Sequence, residues 1–524
     1  MNKEQFEKYQ NIPKEKFAFA TTDGNLHDQK FDTKPIGYFR DAFYRFQKNK
    51  ASVAALIIIV LLVLYAIVGP FMVDAGYQNS YTYDKTVIYY KQLLPRLNFM
   101  DGTGIWDGSQ VMQLTVNRMN IYRGIAMETG YDPIVKVLKE YTTKDETGKE
   151  IPMYSVRVNT YYANSAYMVT LTYDQYKALQ DWQDANQLQV ILPFCDNPVN
   201  NTQRQVLPDI WYDCDQKGNA ILGRDGELVP AYRTYGTDDY TSVMRLANDP
   251  YNEGDTDGRW RYAFRTGTAD TGRNYLVRVS SYNYFIYRHG FEPSFIFGTD
   301  AKGYDIFSRL ALGARFSFVL ALIVSAINLT IGAIYGAIEG YYGGATDIIM
   351  ERVSDVLSGV PFMVVTVLFQ LHLASKVGVV GSLIYAFILT GWIGMASRVR
   401  MQFYRFKNQE YVLAARTLGA KDWRIIWKHI FPNSLGTIIT GSILVIPGVI
   451  FSETSLSYLG IINLDSTTMS SVGSMLSAGQ RVMTSSPHVV LFPALFIALL
   501  EISFNLFGNG LRDAFNPTLR GAED

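Results

Sequence analysis

The chain has 524 residues, with 48 Lys plus Arg against 48 Asp plus Glu, 48% hydrophobic and 14% aromatic residues, and a mean hydropathy of +0.01. This composition excludes a collagen-like or disordered chain and gives no strongly basic face for nucleic acid; two Cys exclude a disulfide-dense scaffold and a Cys-rich metal site. The cancelled charge is a sum of unlike parts: residues 1–50 carry ten basic and seven acidic groups, residues 74–300 carry 22 and 28, and residues 301–524 carry 16 and 13.

Residues 1–50 are too long and too charged for a signal peptide, whereas residues 51–73 (ASVAALIIIVLLVLYAIVGPFMV) hold no charge. As a helix that run is roughly 34 Å long, enough to cross a hydrocarbon core, and it reads as a retained signal anchor. Further charge-free runs at 316–338, 356–375, 377–397, 429–452 and 482–500 predict six spans, more than one soluble core would use. Pro361, Pro447 and Pro493 predict kinks in or near spans, and Gly332, Gly336 and Gly340 predict close helix packing. Arg40, Arg45, Lys48 and Lys50 precede the first span, and eight Lys or Arg against Glu410 and Asp422 lie in 398–428. The positive-inside rule puts both segments in the cytoplasm and residues 74–300 outside the membrane.

That extracytoplasmic segment is predicted to be a mostly β or α+β domain. MYSVRVNTYYANSAYMVTLT (from Met153), QLQVILPF (from Gln187) and NYLVRVSSYNYFIYRHG (from Asn274) read as strands. Turn clusters at 101–104, 223–226 and 252–255 separate them, and no internal repeat is evident. Cys195 and Cys214 both lie here, where an oxidising compartment permits the disulfide we expect. The segment has a single His, His289, and neither a Gly-x-Ser-x-Gly nor a metal-spaced His/Glu set, so an enzyme anchored outside the membrane has little support.

Residues 409–436 (QEYVLAARTLGAKDWRIIWKHIFPNSLG) read as a short helix, 409–418, stopped by Gly419, and a second, 422–430, stopped by Pro432. Ala414 and Ala415 leave a small-residue face suited to docking a soluble partner.

Glu410, Ala414, Ala415 and Gly419, then Ile425, His429, Pro432 and Asn433, resemble the EAA loop of ABC importer permeases, Glu-x3-Ala-Ala-x3-Gly followed by Ile and His-x2-Pro-Asn. FGTDAKGYDIFSRLALGARFSF (297–318), ETSLSYLGI (453–461), SVGSMLSAG (471–479) and FNLFGNGLRDAFNPTLRG (504–521) resemble blocks of the second permease subunit of the dipeptide, oligopeptide and nickel class. Tyr304 stands where that pattern usually has Arg, and Asn509 where it has Asp. The resemblance leaves residues 74–295 uncovered.

The resemblance implies an α-helical polytopic membrane protein, type I ABC importer permease-like, paired with a homologous second permease. It further implies two ABC ATPase subunits, an extracytoplasmic substrate-binding protein and a peptide substrate, with a nickel chelate as the alternative. The coupling residues would be Glu410, Ala414, Ala415, Gly419, His429, Pro432 and Asn433. The chain contains no Gly-x4-Gly-Lys-Ser/Thr, and Thr147-Gly148-Lys149-Glu150 is the nearest fragment, so it is expected to be no enzyme and to hold no cofactor, ATP and Mg residing on partner subunits. Within the spans, Glu501 and Asn505 are candidates for a substrate pathway or an interface. Glu453 is another, with a structural role favoured: capping the following Ser-rich helix or loop.

Overall fold

The computed structural model describes residues 38–72, 90–144, 148, 150–164, 166–193, 195, 199, 209–231, 243–245, 262–266, 274–465 and 470–515. Five helices are long and apolar enough to cross a membrane: Lys50–Met72, Ile306–Tyr342, Ala374–Phe406, Asp422–Tyr458 and His488–Phe515. A sixth span is made if the helix pair Gly344–Ser358 and Phe362–His372, bent by 72°, counts as one. Pro361 is the N-cap residue of the second member of that pair, at the bend, because its fixed φ and missing N–H cannot continue a helix. By contrast Pro493 lies within the continuous helix His488–Phe515.

The second span starts at Asp305, whose side chain accepts from the backbone of Phe307 and Ser308, satisfying donors that a helix start leaves open. At 37 residues it is roughly 55 Å long. The inserted domain sits at its first end and the 409–436 loop at its last. Along it, Gly332, Gly336 and Gly340 lie against the helix Ile393–Phe406. A Cβ at Gly336 would come 2.1 Å from the Ala396 carbonyl oxygen, and one at Gly340 2.7 Å from that of Arg400. The glycine row therefore makes the close backbone contact its spacing implies.

The insert is α+β. β1 (Ser109–Thr115), β2 (Ile134–Lys144) and β3 (Glu150–Asn159) form an antiparallel sheet in the order β1-β3-β2. β4 (Ala166–Thr172), β5 (Ile191–Leu192), β6 (Val243–Arg245), β7 (Tyr262–Thr266) and β8 (Asn274–Ser280) form a second, ordered β4-β8-β7-β6 with β5 also on β8.

These two sheets contain a repeat that the sequence reading does not find. Val111 pairs with Arg157 as Met168 pairs with Arg278, Leu114 with Tyr154 as Leu171 with Tyr275, and Ser109 with Asn159 as Ala166 with Ser280. In each copy a Thr (Thr115, Thr172) ends the first strand and caps a 14-residue helix, and a short helix follows the last strand. Tyr154-Ser-Val-Arg-Val-Asn-Thr-Tyr and Tyr275-Leu-Val-Arg-Val-Ser-Ser-Tyr are its sequence trace. Connections of unequal length and content separate the matching pieces, which hides the periodicity.

The structure differs from expectation in the second half of NYLVRVSSYNYFIYRHG, where Ser281–His289 is a helix closed by Gly290 in the left-handed conformation. Its aromatic residues satisfy a β pattern locally, but Tyr282, Tyr284 and Phe285 are buried against the second sheet in helical form. The Gly223–Gly226 turn is present, with Gly226 N–H donating to the Gly223 carbonyl at 3.0 Å, whereas 252–255 lies outside the described residues. Cys195 and Cys214 are free thiols, not the expected disulfide. Both are buried in one cluster with Ile210, Trp211 and Tyr212, where each serves as a small apolar side chain.

Candidate functional site

The loop that carries the sequence motif is built on an apolar base. Gln409, in extended conformation, opens the helix Glu410–Thr417. Val412 (0% exposed) and Ala415 (9%) turn inward, and Val412 joins a cluster with Tyr341, Val399, Phe403, Ile425, Ile426 and Ile430. Ala414 faces out instead, so the two alanines do not share one face as the sequence reading has it. Around it Leu418 is 88% and Trp423 71% exposed, and Tyr411 and Leu413 are exposed as well. Large apolar groups standing open beside a fixed helix mark a contact surface.

The exit from this helix depends on Gly419. Its φ is +80°, a region costly for residues with a Cβ. This geometry lets Gly419 N–H reach the Arg416 carbonyl at 3.0 Å and Ala420 N–H reach that of Ala415 at 3.1 Å. Two further contacts fix the turn: the Tyr341 hydroxyl donates to Asp422 at 2.6 Å, and the Arg416 guanidinium lies 5.8 Å from the Tyr341 ring centroid.

Pro432 does not stop the second helix. Asp422–Arg424 runs into a π-helical turn, Ile425–Ile430, and then into Phe431–Ile443, which enters the span. The wider turn gives a register in which a residue without an N–H is tolerated, and Pro432 falls in the first turn of the new segment. Asn433 Nδ2 donates to the His429 backbone carbonyl at 2.7 Å, four residues back.

A polar cluster beside this loop escapes sequence reading. Arg400 donates to Asp347 at 2.6 and 2.9 Å and to Glu351 at 2.7 and 3.0 Å, with Glu339 3.6 Å away. The Tyr404 hydroxyl also donates to Asp347, at 2.6 Å. Three helices are tied by one guanidinium, and no local spacing announces that its carboxylates converge.

The span candidates separate. Glu453 is wholly buried and accepts from Ser317 at 3.0 Å and from Ser457 at 2.8 Å. The helix Val472–Gln480 is itself capped by Ser471 in a box with Ser474, and Ser471 also hydrogen-bonds the Glu453 carboxylate. Glu501 is half-buried, with one carboxylate oxygen enclosed and without a hydrogen-bond partner among the described residues. Asn505 donates to the Glu501 backbone carbonyl at 2.9 Å. Tyr304, at the position where Arg is usual in the motif, lies under the Arg309 guanidinium, 4.6 Å from ring centroid to Cζ. Arg309 in turn pairs with Asp300 and Asp465 at the bundle's insert-facing end. Among the described residues no group of three or more His, Cys, Asp or Glu is placed to hold a metal ion.

A helical bundle of this kind, with a short apolar-based helix exposed on the loop between spans, defines a multi-pass membrane protein. The chain belongs to the family described as the binding-protein-dependent transport system inner membrane component, which matches residues 328–521. Residues 37–95 match the N-terminal TM domain of oligopeptide transport permease C. The oligopeptide transport system permease protein OppC of Bacillus subtilis is 44% identical over 43% of this chain and 72% of its own length. The dipeptide transport system permease protein DppC of the same organism is 41% identical over 43% and 69%. A chain of the inward-facing MetNI methionine ABC transporter matches 40% of this chain and 96% of its own at 13% identity and a TM-score of 0.33, a likeness too distant to weigh.

Proposed function

We propose that this chain supplies half of the transmembrane pathway of an ATP-driven peptide importer, pairing with a homologous permease and with two ABC ATPase subunits that hold ATP and Mg. The observation that carries this reading is the Glu410–Thr417 helix, seated by Val412 and flanked by exposed Leu418 and Trp423. Peptide is favoured as substrate because relatives at 44% and 41% identity are named oligopeptide and dipeptide permeases. The loop faces the cytoplasm and the insert the outside of a bacterial cell membrane, since the basic residues concentrate around the first span's start and the loop. ATPase closure shifts the Glu410–Thr417 helix as a rigid body, and the shared apolar cluster passes that shift to the spans, switching access between the two sides. The insert docks the extracytoplasmic substrate-binding protein. Peptide uptake by cells carrying Gly419→Asp tests the coupling: we expect normal membrane insertion with uptake lost, and normal uptake would overturn the assignment.

A further inference from the structure

Between the two repeats of the insert lies an open cleft of about 590 Å³, within the size range of ligand sites. Equivalent positions of both copies line it: Gln110 of β1 and Tyr167 of β4, and Thr160 and Ser281, the residues that begin the short helices after β3 and β8. Neither repeat makes the cleft alone. Its lining continues onto Ser485 and Ser486, just before the last span, where the Ser486 hydroxyl lies 3.4 Å from Gln92 Oε1. The cleft thus opens where the insert meets the bundle.

The cleft offers cationic groups to an anion. Lys91 and Arg118 both line it, and neither has an ion-pair partner among the described residues. Arg118 is steadied 5.1 Å over the Tyr122 ring. Asp209 supplies a carboxylate to the same lining, one of its oxygens accepting the Ala166 N–H at 3.1 Å. β1 and β4 each carry a ladder on one side only among the described strands, so the remaining main-chain edge of each is of the kind that an extended chain pairs with.

We propose that this cleft binds a short extended peptide, with its C-terminal carboxylate on Lys91 and Arg118. The choice of peptide rests on the importer reading above. The site holds cargo at the outer mouth of the permease, ahead of the translocation pathway.

Full-length protein in lipid nanodiscs, titrated calorimetrically with tetra-alanine and with tetra-alanine amide, tests this. The free acid should bind about tenfold or more tightly than the amide, as expected for loss of charge-assisted hydrogen bonds. Lys91→Met with Arg118→Met should erase that preference, and Lys91→Arg with Arg118→Lys should keep it. Equal binding of acid and amide by the native protein, or a preference that survives the methionine pair, would overturn the proposal. Uptake of tetra-alanine by cells scores the importer reading separately: uptake without nanodisc binding sinks the cleft alone, and binding without uptake sinks the importer alone.

Discussion

Arg278 of β8 and Glu128, in the helix Val116–Thr129 of the other repeat, form a two-pronged ion pair at 2.5 and 2.6 Å with side chains 0% and 2% exposed. The same guanidinium donates to the Pro193 carbonyl at 3.0 Å. The pair thus ties the helix of one repeat to a strand of the other.

Breaking that pair should loosen the insert. Glu128→Gln leaves a guanidinium buried without its counter-charge, which costs about 3–5 kcal/mol. The Glu128→Leu/Arg278→Met pair, apolar on both sides, should recover most of the loss. Limited proteolysis of the insert in intact membranes against temperature reads both outcomes; equal resistance of native and Glu128→Gln protein would show that the pair contributes little.

Gly336→Ala should disrupt the bundle, because its Cβ would lie 2.1 Å from the Ala396 carbonyl oxygen. The helices must part or bend, at about 1–3 kcal/mol or more. Gly394→Ala, where a Cβ meets nothing within 4 Å, should be neutral or slightly stabilising. Thermal unfolding of the two variants in detergent compares them directly.

The thiols give a pH prediction. Burial pushes the Cys195 thiol up to about 12 and raises Cys214 as well. A raised thiol pKa leaves the neutral, unreactive S–H in place through pH 7 to 9. Maleimide should therefore label neither residue in the folded protein across that range, and should label both after denaturation without reductant. Labelling that needs reductant would instead reveal the disulfide expected from the sequence.

Leu418→Asp should leave folding unaffected, since the side chain is 88% exposed, but should reduce association with the ATPase subunits of the proposed importer. Val412→Asp, at a wholly buried position, should instead unseat the helix and destabilise the loop through an unpaired buried charge. Co-purification of the ATPases with each variant, alongside its thermal stability, separates a surface defect from a packing defect.

Much of this architecture was legible in sequence because the signals are local and chemical. A charge-free run of spanning length has few alternatives, and the Gly332, Gly336 and Gly340 row names its packing role by spacing alone. The Glu410–Thr417 helix followed the same logic, since Gly419 at its end can occupy positive φ without a Cβ. Pro432 misled because a proline normally ends a helix, and the π-helical turn that admits it depends on how Ile425, Ile426 and Ile430 pack below. Helix Ser281–His289 misled in the opposite sense: its aromatics favour a strand intrinsically, and burial against the second sheet overrode that preference.

The sequence by itself located the apolar runs that form the five long helices, the 409–436 loop and the presence of a separate folded insert, since hydropathy, charge and turn chemistry act over neighbouring residues. It left open the 72° break that falls in the 356–375 run. Only the tertiary structure decided which partners meet. Arg400 finds Asp347 and Glu351, Arg278 finds Glu128, and two halves of unequal length adopt one register around a shared cleft. Those contacts join residues far apart in the chain, and their energies exist only once packing has brought the groups within hydrogen-bond reach and out of water.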